Sequence, residues 1–265
     1  MSETAMETRN NVTEAAAAGS RDRPERAPGW LIPALLIAGL LIGLLGEVIV
    51  ASVAARREFD EGGRFGRIFF PPPHGQMGDP PDWLLEVRTA MIKNNAIGYG
   101  IFSALLLGAM GALIGVAYRR RSAVVGLLVG GLAGLLAGGI CAPISYYIEN
   151  EFFQVDMDGA IKASLILSAV FLGLGLAGAF VAVCAGPARS AVRAIVNGIV
   201  AAAIGLVAYI LVAIGVFPIG FPESTSPLDT GVRFTLFVCL GICPALAAIL
   251  MLRSPAAKAV QGDAP

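Results

Sequence analysis

Glu47 is the only acid well inside an apolar run of this chain, and it is the residue best placed to carry chemistry. It follows Gly39 and Gly43 at four-residue spacing, so on a helix all three share one face. Two glycines on a face let another helix approach closely. The carboxyl is therefore expected to point into packed protein rather than lipid. An ionisable group at such a place is energetically unfavourable without a counter-ion, a proton or a place on a solute's route. Lys162 and Arg233 stand at the starts of later apolar runs, on the same membrane face. They are the expected partners, with snorkelling to the interface as their simpler use. Asn197 lies one turn after Arg193 and is expected to make an interhelical hydrogen bond. Glu47, Lys162, Arg233 and Asn197 together form the candidate intramembrane or interfacial polar site.

Other reactive side chains are few. Cys141, Cys184, Cys239 and Cys243 all fall in apolar runs, and none has metal-site spacing to a histidine. They read as small packing residues. His74, the single histidine, sits between Pro73 and Gly75. With Asp79, Asp82 and Glu86 it is the basis of an acid–base or weak metal alternative, against the plainer reading of a solvated loop residue. There is no Ser-His-Asp order, metal-binding helix, phosphate loop or dinucleotide fingerprint. No catalytic, cofactor-binding or metal-ligating residue is assigned, and no cofactor is expected.

The elements holding these residues follow from composition. Of 265 residues, 56% are hydrophobic and only 14% charged, with mean hydropathy +0.75. A soluble fold of this length needs more polar surface. Net charge is zero, so no basic surface suggests nucleic-acid binding. Six runs, near Gly29–Ala55, Ala96–Tyr118, Ser122–Ile148, Ala160–Ala185, Ala191–Phe217 and Val232–Leu252, reach the roughly 20 helical residues that a bilayer core requires. The expected fold is all-α, a polytopic integral membrane protein of six transmembrane helices.

In the third run Gly126, Gly130, Gly134 and Gly138 recur every four residues. They form a stripe almost free of side chains, expected to pack against a neighbouring helix; a pore or sliding helix is the functional alternative. Pro143 and Pro244 fall inside runs and are expected to bend them.

Arg-Ser closes the second, fourth and sixth runs, at Arg121-Ser122, Arg189-Ser190 and Arg253-Ser254. Leu107-Gly108 aligns with Leu172-Gly173, and Arg121-Ser122-Ala123-Val124 with Arg189-Ser190-Ala191-Val192. That pattern is consistent with three two-helix repeats, as in many transporters.

Arginines without acids mark the short second-to-third and fourth-to-fifth connections. The excess of positive charge places those connections, and both termini, in the cytoplasm, in what is expected to be the cytoplasmic (plasma) membrane. Residues 1–28 read as a disordered cytoplasmic tail and 254–265 as a second tail, around a 29–253 bundle. The outer loop, 56–95, is irregular at first. Near 80–93 a short amphipathic helix is expected on the membrane surface, from the Asp79-Pro80-Pro81-Asp82 start signal and the stripe of Leu84, Val87 and Met91. The alternative is that the second span begins early and projects outward.

The resulting functional expectation is a non-enzymatic structural or assembly component of a membrane. Its partners are the lipid bilayer and other membrane subunits, not nucleic acid, and no small-molecule substrate can be read. The alternatives are a small-solute or ion transporter using Glu47, and a membrane enzyme using His74 and the loop acids.

Overall fold

The computed structural model describes residues 27–60, 82–118, 123–152, 159–186, 190–217 and 230–253. These form six helices: α1 Leu31–Asp60, α2 Asp82–Tyr118, α3 Ala123–Phe152, α4 Gly159–Ala185, α5 Ala191–Val216 and α6 Thr230–Arg253. All six are long and apolar enough to cross a membrane. Lipid offers backbone amides no hydrogen bonds, so an apolar run crossing it must satisfy them within its own helix.

Burial divides the helices into two sets. The apolar windows of α2, α4 and α6 are 56%, 61% and 61% buried, those of α1, α3 and α5 only 28%, 22% and 28%. The even helices are the centre of the bundle and the odd ones its sheath. Each odd helix lies in a groove between two even ones: α1 between α6 and α2, α3 between α2 and α4, α5 between α4 and α6. The core is built from Tyr99, Phe102 and Leu106 of α2, Phe171 of α4, and Leu236 and Phe237 of α6. The sheath turns Leu41, Leu128, Val192 and Leu211 outward. Water would penalise that surface; lipid does not.

From Asp82 the chain is helical without interruption to Tyr118. The segment read as a separate interfacial helix near residues 80–93 is therefore, in its described part, the N-terminal extension of the second span. The chain between Asp82 and Tyr118 contains no proline, and nothing else there stops a helix once started. At 37 residues, α2 is about 55 Å long and overreaches the roughly 30 Å bilayer core.

Helix starts and hydroxyls follow local rules. Ser190 caps α5, its side chain accepting from the Arg193 N–H at 3.3 Å, and thereby satisfies a donor that the helix leaves open. The serine of the second Arg-Ser pair thus begins the next helix as the arginine closes the previous run. Ser145 donates to the Ile166 carbonyl and ties α3 to α4 in the buried core.

Candidate polar site

The site begins with α1. Gly39, Gly43 and Glu47 lie on its buried face, against α6. A Cβ placed on Gly39 would stand 2.6 Å from the Gly241 carbonyl oxygen, and one on Gly43 would stand 2.8 Å from that of Phe237. Such distances are below any real carbon–oxygen contact, so only glycine lets the two backbones meet here. One turn further along both helices, Arg233 Nε approaches Glu47 Oε1 at 2.8 Å. Three successive turns of α1 thus face three successive turns of α6, running antiparallel.

Glu47 is 8% exposed as a residue, whereas the Arg233 side chain remains 35% exposed. The arginine reaches the carboxylate from the end of its helix while part of its side chain keeps contact with the exterior, as long cationic side chains do. Its Nε–H is not aligned for a hydrogen bond, so at this atom charge attraction holds the contact. One turn further into the bundle along α6 lies an aromatic cluster. Phe237 stacks on Tyr99 with ring centroids 5.5 Å apart and meets Phe102 edge-on at 5.3 Å. Gly46 leaves room for the Phe237 and Phe102 rings.

Of the other sequence candidates, Lys162 lies in the first turn of α4, with its side chain outside the described residues. Asn197 is not part of this site. It is near the start of α5, at the opposite end of the bundle from Glu47, where its Nδ2 donates to the Met251 sulfur of α6 at 3.1 Å, a weak acceptor. His74 and Asp79 are outside the described residues, as are the side chains of Asp82 and Glu86. Among the described residues no group of three or more His, Cys, Asp or Glu side chains could hold a metal ion. The Cys243 thiol, buried between helices, lies 3.6 Å from the Phe171 carbonyl.

The glycine stripe of α3 meets α2. A Cβ on Gly126, Gly130, Gly134 or Gly138 would overlap, in turn, the carbonyl oxygen of Gly111, Leu107, Ser103 or Tyr99. Four turns of each helix are therefore in backbone contact, a geometry that recruits dispersion and Cα–H···O attraction. Gly131 and Gly139 of the same helix border this contact less tightly; a Cβ there would meet α2 carbonyl oxygens, of Ala104 and Ala96, at 3.8 and 3.7 Å.

Sequence reasoning missed the receiving surfaces. Gly111 and the carbonyls of Tyr99, Ser103 and Leu107 had no visible signal, because backbone rather than side chains makes the contact. The partner of Glu47 was more accessible. Arg233, Phe237 and Gly241 repeat every four residues, a reversed counterpart of Gly39, Gly43 and Glu47.

Six apolar helices packed through backbone contacts, with a buried ion pair near one end, define an α-helical polytopic membrane protein. No family model, curated protein or solved structure matches this chain.

Proposed function

We propose that this protein is a non-enzymatic structural or assembly component of the cytoplasmic membrane, with both termini inside. The observation that carries this reading is the state of Glu47. The one acid well inside a span already holds a counter-ion, Arg233, one helical turn from the Tyr99, Phe102 and Phe237 ring cluster. A carboxylate so engaged acts as a joint between the first and last helices. The glycine-to-backbone contacts at α1–α6 and α2–α3 favour the same role, since they join helices along their length.

The three two-helix units marked by the Arg-Ser closures are α1–α2, α3–α4 and α5–α6, each pairing a sheath helix with a central one. In each unit a central helix carries a sheath helix bearing small residues: Gly126 to Gly138 on α3, Gly198 and Ala202 on α5, Gly39 and Gly43 on α1.

Purified protein reconstituted into vesicles is expected to leave proton and potassium leak at the level of empty vesicles, and in native membranes to migrate as part of a larger complex. Ion flux abolished by Glu47→Gln would overturn this reading in favour of the transport alternative, whose specific support is the buried acid itself.

A further inference from the structure

Small-residue interfaces carry an ambiguity. A face whose glycines recur every four residues nearly repeats itself when the helix slides one turn, about 6 Å. On α1, Gly43 can occupy the place of Gly39 against Gly241, and backbone complementarity at that point is preserved.

Two of the sheath helices are held against such slippage by their connections. Residues 119–122 link α2 to α3, and residues 186–190 link α4 to α5, so the chain itself limits displacement. The first helix has no such tether. Residues 61–81 separate it from α2, and no direct connection joins it to α6, the helix on which its glycines rest.

We infer that the Glu47–Arg233 pair is a register lock, selecting one placement of α1 in the groove between α6 and α2 from a set spaced one turn apart. Displaced by four residues one way, Glu47 comes opposite Phe237, and a charged carboxylate enters the aromatic cluster with Tyr99 and Phe102. Displaced the other way, Gly43 comes opposite Arg233 and the cation loses its carboxylate. The first loss falls on a carboxylate in a low-dielectric setting, where an unpaired charge is strongly unfavourable; the second leaves the half-exposed arginine without its counter-ion. The Gly46 notch resists sliding less firmly, because the atoms that fill it are ring edges of Phe237 and Phe102, which can turn. A single buried polar pair that sets register is the best-attested role for such groups in helical assemblies.

Cysteine crosslinking tests this in the full-length chain with native cysteines replaced. Ile42→Cys with Val238→Cys reports the observed register; Ile42→Cys with Ile242→Cys, or with Phe234→Cys, reports the two one-turn slides. Otherwise unaltered protein should crosslink at the 42–238 pair alone. The variant Glu47→Leu/Arg233→Leu leaves no unpaired charge and is chosen because apolar replacement of an ion pair usually preserves folding. In it, crosslinking of the shifted pairs should rise by about tenfold or more. The exchange Glu47→Arg/Arg233→Glu should return crosslinking to the 42–238 pair. A merely stabilising pair would alter thermal unfolding and leave the pattern unchanged. If the double-leucine variant crosslinks at 42–238 alone, the lock lies elsewhere and the inference fails. Failure of that variant to assemble, with the charge exchange assembling, would place the pair in stability rather than register and would overturn it equally.

Discussion

Gly130 and Gly131 are neighbours on α3 that approach α2 at very different distances, and replacing each by alanine isolates what the stripe does. In solution peptides, Gly→Ala within a helix gains about 0.8–1 kcal/mol from backbone entropy, and that gain applies to both positions. At Gly131 the new methyl meets nothing nearer than the Ala104 carbonyl oxygen at 3.8 Å, an ordinary contact. Gly131→Ala should therefore be neutral or mildly stabilising. At Gly130 the methyl would overlap the Leu107 carbonyl, which belongs to a helix backbone and cannot rotate aside. The two helices must separate locally, and overpacking of this kind costs about 1–3 kcal/mol. A gap of even 0.5–1 Å also forfeits about a quarter to a half of each neighbouring dispersion contact. The Gly130 variant should thus be less stable than the Gly131 variant by about 1–3 kcal/mol. By the soluble-protein scaling that is roughly 2–12 °C in Tm. Thermal unfolding in a mild detergent, followed by loss of the monodisperse peak, measures the difference. Equal midpoints, or a more stable Gly130→Ala, would refute the claim that the stripe holds α3 to α2.

Further expectations follow from other contacts. Tyr209 is fully buried, and its hydroxyl has no hydrogen-bond partner among the described residues; Tyr209→Phe should leave stability unchanged or raise it by up to about 1 kcal/mol, because an unsatisfied hydroxyl is removed, and a clear fall in Tm would reveal a bridging water. Ser190→Ala should lower stability by about 0.5–1 kcal/mol through loss of the α5 cap, with Ser190→Gly less harmful in the same unfolding assay. Asn197→Leu should cost about 0.6 kcal/mol, the average size of an interhelical hydrogen bond in membranes, and a loss several times larger would give Asn197 a further partner. For orientation, a cysteine at Ser190 should resist an impermeant thiol reagent on intact cells while one at Ser226 reacts; the reverse pattern would invert the proposed topology.

The number and type of elements were legible because lipid imposes one rule on every span: apolar and helical for about 20 residues. Their layering was not. Hydropathy is similar along all six spans and does not separate the buried α2, α4 and α6 from the exposed α1, α3 and α5. The distinction lies in which face carries bulk: Phe102, Phe171 and Phe237 fill the centre, where α3 presents glycine to its neighbour. The start of α2 was open between two readings for a related reason. An amphipathic stripe and a helix-start signal locate a helix without saying whether it stops before the next span. For the polar site, spacing indicated the facing of Glu47, but two cations stood at the same membrane face, and only the fold distinguishes the α6 residue that lies beside it.

The antiparallel pairing of sheath and centre has an electrical consequence. Each helix carries the equivalent of about half a unit charge at its ends, and a membrane voltage acts on any such dipole aligned with it. Along α1–α6, α2–α3 and α5–α6 the contacting partners run in opposite directions, so their dipoles oppose and largely cancel. Glu47 and Arg233 add one charge of each sign at nearly the same depth. A voltage does work of about 2.3 kcal/mol per unit charge per 100 mV, but only on charge that moves through the field. Separating this pair sideways, within the membrane plane, transfers none, so lateral opening of the joint should be independent of voltage, whereas a slide of α1 along its axis carries the Glu47 charge part of the way through the field.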